Sequence, residues 1–306
     1  MKNRQKKIES SLKFFQKHSN CDLDYCVEID SNIDGKTVLI SCATHGNEQA
    51  GVDFAIEFIK NYKSGKLRLK RGKIFLLLNN YKAFSEDKRY IDYDLNRAFT
   101  DNKELNLWEY KRAYEIESFF KNKKIDYFVD IHSVSIGDFK MIIFNQDDIS
   151  NPLFKILINR SKMDIIFLYR EQDIPGIMID FFKKSQNTFG MAIECGNHFN
   201  ENAKELAKDE VFNLLESLDM IDVKIKPTTH KKVVYKTIDI VKSGRNFKWL
   251  IEDYKTGIKL KKGDIISIDE TNGIQTAQMD CILVMPSKKV KSSDKEAGFL
   301  CEESYI

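Results

Sequence analysis

Apolar residues fall into two rhythms that alternate along the chain. TVLISCA (37–43), KIFLLLNN (73–80), YFVDIH (127–132), KMIIFN (140–145), IIFLYR (165–170) and GMAIECG (190–196) are continuous apolar runs of strand length, as expected for buried strands. CVEID (26–30) alternates apolar and polar positions, and SNIDGK after it supplies a turn with Asp-Gly at its centre. Elsewhere apolar positions recur every three or four residues. Ile8, Leu12 and Phe15 share one helical stripe, as do Val52, Ala55, Ile56 and Ile59. The same spacing predicts helices over 104–120 and 203–218, and further helices are expected near 152–162 and 175–187. Residues 81–100 follow neither rhythm and read as a long loop, which inside a compact domain is usually functional.

Strand and helix alternate to about residue 220, which predicts an α/β domain with helices on both faces of a sheet. At DVKIKPTTH (222–230) the texture changes to short β-rich stretches separated by Gly-Asp and Asn-Gly pairs. The expected division is an α/β domain over 1–222 and a small all-β domain over 223–306, with Pro227 marking the linker.

Composition narrows the classes. The chain of 306 residues is 42% hydrophobic and carries a net charge of only +3, with acidic and basic residues interleaved. The short basic runs KNRQKK and SKKVK (287–291) read as solvated surface, so no nucleic-acid partner is expected. No apolar run approaches the roughly 20 residues of a membrane span. The cysteines at 21, 26, 42, 195, 281 and 301 form no CxxC pair. With no apolar leader segment, they read as free thiols of a reducing compartment, and the expectation is a soluble cytoplasmic protein.

Candidate chemistry concentrates at strand ends. In SCATHGNEQAG (41–51), His45 and Glu48 follow a buried strand, where α/β sheets present ligands. Nitrogen and oxygen donors three residues apart can face one point and suit zinc. On that stretch alone, a capped helix start is the commoner explanation of HxxE. His132 ends another buried strand; it reads either as a buried imidazole bonded to Asp130 or Ser133, or as a third ligand. Three protein ligands plus an open position are the arrangement of catalytic zinc. Glu194 lies in an otherwise apolar strand, where an unpaired charge is expensive; it reads as a structural ion pair or as a general base. The loop RYIDYDLNRAF (89–99) supplies Arg89, Asp92, Asp94, Asn96 and Arg97. Guanidinium groups grip carboxylates and stabilise oxyanions.

HGNE with Gly51 downstream, RYIDYDLNRAF, DIH and AIECG, in that order, resemble the succinylglutamate desuccinylase/aspartoacylase family, within the zinc carboxypeptidase-like group. The resemblance covers about residues 36–220. It implies a zinc-carboxypeptidase-like mixed sheet with helices on both faces and a β-rich C-terminal domain capping the site. It further implies one zinc per subunit held by His45, Glu48 and His132, Glu194 as general base and then acid, Arg89 as oxyanion holder, and Asn96 and Arg97 as a clamp for the amino-acid carboxylate. Asp94 is expected to shape the loop, and Asp130 to support a ligand from behind. The implied partner is a small N-acyl amino acid; a homo-oligomer is compatible with all of this.

Two departures bear on substrate. Aspartoacylases carry an arginine before the AIECG-like strand, where DFFKKSQNTFG offers Lys183 and Lys184; Lys184 is the candidate for a second substrate carboxylate, without the bidentate fork of arginine. Their C-terminal domain also brings a tyrosine, and KKVKSSDKEAGF has none. His198, four residues after Glu194, reads as a loop residue, with a place facing the site as the alternative. The favoured reading is a zinc-dependent N-acyl amino acid amidohydrolase; a peptide-cutting carboxypeptidase and a non-catalytic metal- or metabolite-binding protein are the alternatives.

Overall fold

The apolar runs become the middle of one large sheet. The computed structural model describes residues 2–135, 137–229, 231–287, 290 and 296–306. The strands are β1 (Cys26–Asp30), β2 (Thr37–Cys42), β3 (Lys73–Leu78), β4 (Tyr127–Val134), β5 (Lys140–Asn145), β6 (Ile165–Tyr169), β7 (Phe189–Asn197), β8 (Val233–Lys242), β9 (Lys248–Trp249), β10 (Ile258–Leu260), β11 (Ile265–Asp269), β12 (Gly273–Thr276), β13 (Cys281–Val284) and β14 (Glu296–Tyr305). The helices are α1 (Lys2–His18), α2 (Ala50–Lys63), α3 (Tyr81–Ser85), α4 (Trp108–Phe120), α5 (Pro152–Arg160), α6 (Met178–Gln186) and α7 (Ala203–Ser217).

The sheet runs β1-β3-β2-β4-β7-β5-β6-β8-β14-β13-β10. Strands β3, β2, β4 and β7 are parallel at its centre, while β1 and β5 run antiparallel to their inner neighbours. Strand β8 pairs in parallel with β6, and β14, β13 and β10 follow antiparallel. The C-terminal strands therefore extend the main sheet, and β12-β11-β9 form a second small one. Pairing across such a sequence distance leaves no mark on local periodicity. Residues 222–229 hold no helix or strand. Among the described residues no helix is long and apolar enough to cross a membrane.

Side-chain alternation decides what each face carries. Val38, Ile40 and Cys42 of β2, Val129 and Ile131 of β4, and Met191, Ile193 and Cys195 of β7 pack in the core under α1, α2, α5 and α7. Leu39, Phe128 and Ala192 face the opposite core, with Ile116 and Phe120 of α4 and Met178 and Phe182 of α6. Ser41, Asp130, His132 and Glu194 share the parity of that second set. The period of two thus sends Ser41, Asp130, His132 and Glu194 to one face.

The segment 81–100 differs from the unstructured loop expected of it. Tyr81–Ser85 forms α3 and Leu95–Arg97 a 3-10 turn; both are too short to show a helical period. Helix α4 starts at Trp108 rather than near 104, because its first N–H is capped from a distance by Asp92 Oδ2 at 2.8 Å. The loop hangs on Glu109, which is wholly buried. Its carboxylate accepts the backbone N–H groups of Ile91, Asp92 and Tyr93 at 2.7, 3.0 and 3.0 Å, and Asn80 Nδ2 at 2.9 Å. Glu109→Ala takes the acceptor from these donors, the Asn80 amide in a buried position and the three N–H groups in half-buried ones, at about 1–3 kcal/mol for each that stays out of water. A loss of at least about 3 kcal/mol in urea unfolding is expected; a change below 1 kcal/mol, taking that same scale, contradicts this anchoring role.

Candidate active site

The first ligand segment is a turn. Ala43 leaves β2 at φ 52°, an uncommon conformation for a residue with a side chain. Gly46 then passes so close to α3 that a Cβ there would lie 2.2 Å from Ala83 C and Phe84 N. Only glycine allows that approach, which carries His45 and Glu48 inward ahead of α2. The backbone N–H of Gly46 donates to Arg89 O at 3.0 Å, docking the two loops.

His45, Glu48 and His132 converge, with one donor atom from each lying within 4.8 Å of the others. His45 Nδ1 is 2.7 Å from Glu48 Oε1, and His132 Nδ1 is 3.0 Å from Glu48 Oε2. All three residues are buried. The outer nitrogens face carboxylates: His132 Nε2 lies 2.8 Å from Asp130 Oδ2, and His45 Nε2 lies 3.3 Å from Asp94 Oδ1. Asp130 Oδ1 in turn accepts Ser41 Oγ at 2.9 Å and Thr44 Oγ1 at 2.8 Å, and Asn79 Nδ2 donates to both hydroxyls. Asp130 thus stands behind His132 as the resemblance implied. Asp94 does more than shape its loop, since it also faces His45.

Electrostatics follow from this packing. Burial alone would raise the Glu48 carboxyl, but His45 and His132 outweigh it and hold it below the usual range. Burial would lower His132, but Asp130 and Glu48 prevail and raise it well above an ordinary imidazole. Two imidazoles and a carboxylate facing one another, each imidazole backed by a second carboxylate, make a donor set that fits a divalent cation of the zinc type. Among the described residues His45 Nε2 makes no aligned hydrogen bond despite its burial.

Glu194 sits beside His132 in the β4–β7 register. It is 7% exposed, and its Oε2 has no hydrogen-bond partner among the described residues. Burial pushes its carboxyl up to about 7, against the opposing pull of His132. An unpartnered carboxylate oxygen beside a ligand set can take up a proton there.

Arg89 is half-exposed, and its Nε and Nη2 are held by Asp94 Oδ2 at 3.1 and 2.9 Å. Asp94 therefore joins Arg89 to His45. Asn96 Oδ1 accepts the N–H of Met178 at the start of α6, at 3.2 Å. Arg97 donates Nη1 to Asn96 O at 2.7 Å and Nη2 to Glu296 of β14. The adjoining 288–289 and 291–295 of the KKVKSSDKEAGF stretch lie outside the described residues. Lys184 is exposed on α6 and paired with Glu171 at 2.6 Å; its charged surroundings are Glu171, Asp180 and Asp101, not the His45–Glu48–His132 group. His198 lies in a turn after β7, as a loop residue, and bonds to Ser133 Oγ at 2.8 Å beside His132.

Glu296 and Asn79 were not singled out from the sequence. Neither carries a local signal, since their partners are remote in the chain. The Asp-before-LNR pattern, a short Asp-capped turn, was the legible clue to Asp94.

Comparison with known proteins gives the family and the fold. Residues 34–218 match the succinylglutamate desuccinylase/aspartoacylase catalytic domain. A succinylglutamate desuccinylase of Photorhabdus laumondii is 25% identical over 233 residues, 69% of each chain. A Pseudomonas putida succinylglutamate desuccinylase is 34% identical over 86 residues, 28% of this chain and 25% of that one, so this match spans about a quarter of that relative. An N-acyl-aromatic-L-amino acid amidohydrolase of Xenopus laevis is 33% identical over 106 residues, 32% of this chain and 34% of that one. The fold resembles the Vibrio cholerae succinylglutamate desuccinylase structure, with TM-score 0.75 at 18% identity over 91% of this chain and 85% of that one. Matched over most of its α/β part, the chain belongs to the succinylglutamate desuccinylase/aspartoacylase family.

Proposed function

We propose that the protein is a zinc-dependent amidohydrolase that releases a free amino acid from a small N-acyl amino acid. The observation that carries this reading is Glu194 Oε2, buried and unpartnered beside the His45–Glu48–His132 donor set. Those three residues would hold the ion. Zinc, when bound, supplies Lewis acidity, lowering the pKa of a water towards about 7 and polarising a carbonyl.

The chain's own residues supply the rest. Glu194 takes a proton from the attacking water and returns it to the leaving nitrogen, so one carboxylate serves both halves of the reaction. Arg89, steadied by Asp94, donates to the oxygen on which negative charge develops. Asn96 and Arg97 orient the carboxylate of the amino-acid part. Residues 1–222 carry this chemistry, and 223–306 cap it; the Arg97–Glu296 contact supports that division of labour.

The pair also makes a prediction about affinity. A substrate carboxylate must compete with Glu296 for Arg97. Glu296→Gln removes the competing charge, and KM is expected to fall by roughly threefold to tenfold with kcat little changed. A raised KM would mean that Glu296 aims Arg97 rather than competing for it.

Free amine released from a panel of N-acyl amino acids by the zinc-loaded protein tests the function. The panel includes N-succinylglutamate and N-acetylaspartate, with dipeptides alongside. Preference for one acyl amino acid is expected; preference for the dipeptides would replace this reading with a carboxypeptidase.

A further inference from the structure

Glu48 stands on a turn, since residues 43–49 hold no helix or strand. A turn is softer than a strand, so a ligand carried on one needs bracing from outside. Part of the bracing comes from one side chain. His198 follows β7, and its backbone N–H donates to Val134 O at the end of β4 at 3.0 Å. Its Nδ1 lies 2.8 Å from Ser133 Oγ, and its Nε2 lies 3.3 Å from Asn47 Nδ2. Ser133 follows the ligand His132, and its own N–H donates to Glu48 Oε2 at 3.2 Å. Asn47 immediately precedes Glu48. One imidazole therefore ties together the three segments that carry His132, Glu48 and Glu194.

The bonding is self-consistent. An amide N–H of Asn47 donates to Nε2, which leaves the proton on Nδ1 to donate to Ser133 Oγ, so the neutral ring satisfies both partners. Arg4 reaches the same turn from α1, with Nη2 donating to Asn47 O at 2.9 Å. His198 and Asn47 are both half-buried, so truncating either removes less packing than truncating a fully buried side chain.

We infer that His198 is a positioning residue for Glu48, holding the Asn47–Glu48 turn against the end of β4 so that the carboxylate stays between His45 and His132. The inference rests on the metal reading of that trio. The support is indirect: His198 touches the neighbours of the ligands and none of the ligand atoms.

The test is the zinc dissociation constant, measured by competition with a chromophoric chelator, together with the thermal midpoint of the metal-free protein. His198→Ala is expected to weaken zinc binding about 10- to 100-fold, as loss of a group supporting a ligand typically does, with the metal-free midpoint unchanged. Ser133→Ala should weaken it through the same contact, and the double variant should lose less than the two effects combined. His198→Asn can keep the Ser133 bond and His198→Gln the Asn47 bond, so each should recover part of the affinity. Unchanged zinc affinity in His198→Ala would overturn the inference, as would a loss matched by an equal fall in metal-free stability. If His198→Ala does not fold, the Asn and Gln variants decide: wild-type affinity in both overturns it, and intermediate affinity upholds it. Failure of the wild type itself to bind zinc would overturn the metal reading instead.

Discussion

Glu194→Gln is expected to retain zinc and substrate binding but to lower kcat by about a hundred- to ten-thousandfold, the usual worth of a positioned proton carrier. The amide is close in shape to the carboxylate and leaves the β4–β7 register intact, so the folded protein should be undisturbed. It cannot accept the proton from water. The pH profile separates this role from a structural one. The wild-type carboxyl sits near 7 without metal because burial raises it. It must be ionised to act as a base, so activity rises with pH as the carboxyl loses its proton. A bound cation favours the ionised form and moves that rise below 7. The variant should have no such limb. Wild-type kcat in Glu194→Gln, measured by single-turnover and steady-state amine release, would remove Glu194 from the reaction.

His132→Ala is expected to lose zinc. One of three donors disappears, and Asp130 and Glu48 are left facing each other's charge without the imidazole between them. Removing one partner of such a buried pairing costs about 3–5 kcal/mol, so the variant should also melt earlier. His132→Gln keeps a polar group in the gap and separates the two effects. Its zinc affinity should fall by more than about 100-fold, beyond what loss of a supporting group causes, while much of the stability returns. Metal content after gel filtration, with the unfolding midpoint, reads both. Full zinc occupancy in either variant would reject His132 as a ligand.

The parts of this site that could be read from the sequence are those set by short-range geometry. His45 and Glu48 share one turn. His132 and Glu194 announce themselves as polar residues in apolar strands, and strand parity then places both on one face. The large sheet was legible for the same reason, because buried strands are continuous apolar runs. What could not be read is long-range. Arg97 and Glu296 are 199 positions apart, and Asn47 and His198 are 151 apart. Glu109 looks like any polar residue of an amphipathic helix until the loop folds over it. The joining of β8 to β6 likewise depends on a pairing between distant segments. In each case the residue type was visible and its partner was not.

The most direct test of the account is to strip the protein of metal, titrate it with zinc, and follow bound zinc and amine release from the preferred N-acyl amino acid together. The account predicts no turnover without metal, then activity rising in step with bound zinc to a plateau at one ion per chain. Full turnover by the metal-free protein would contradict it, as would one bound zinc per chain with no amine released from any substrate of the panel.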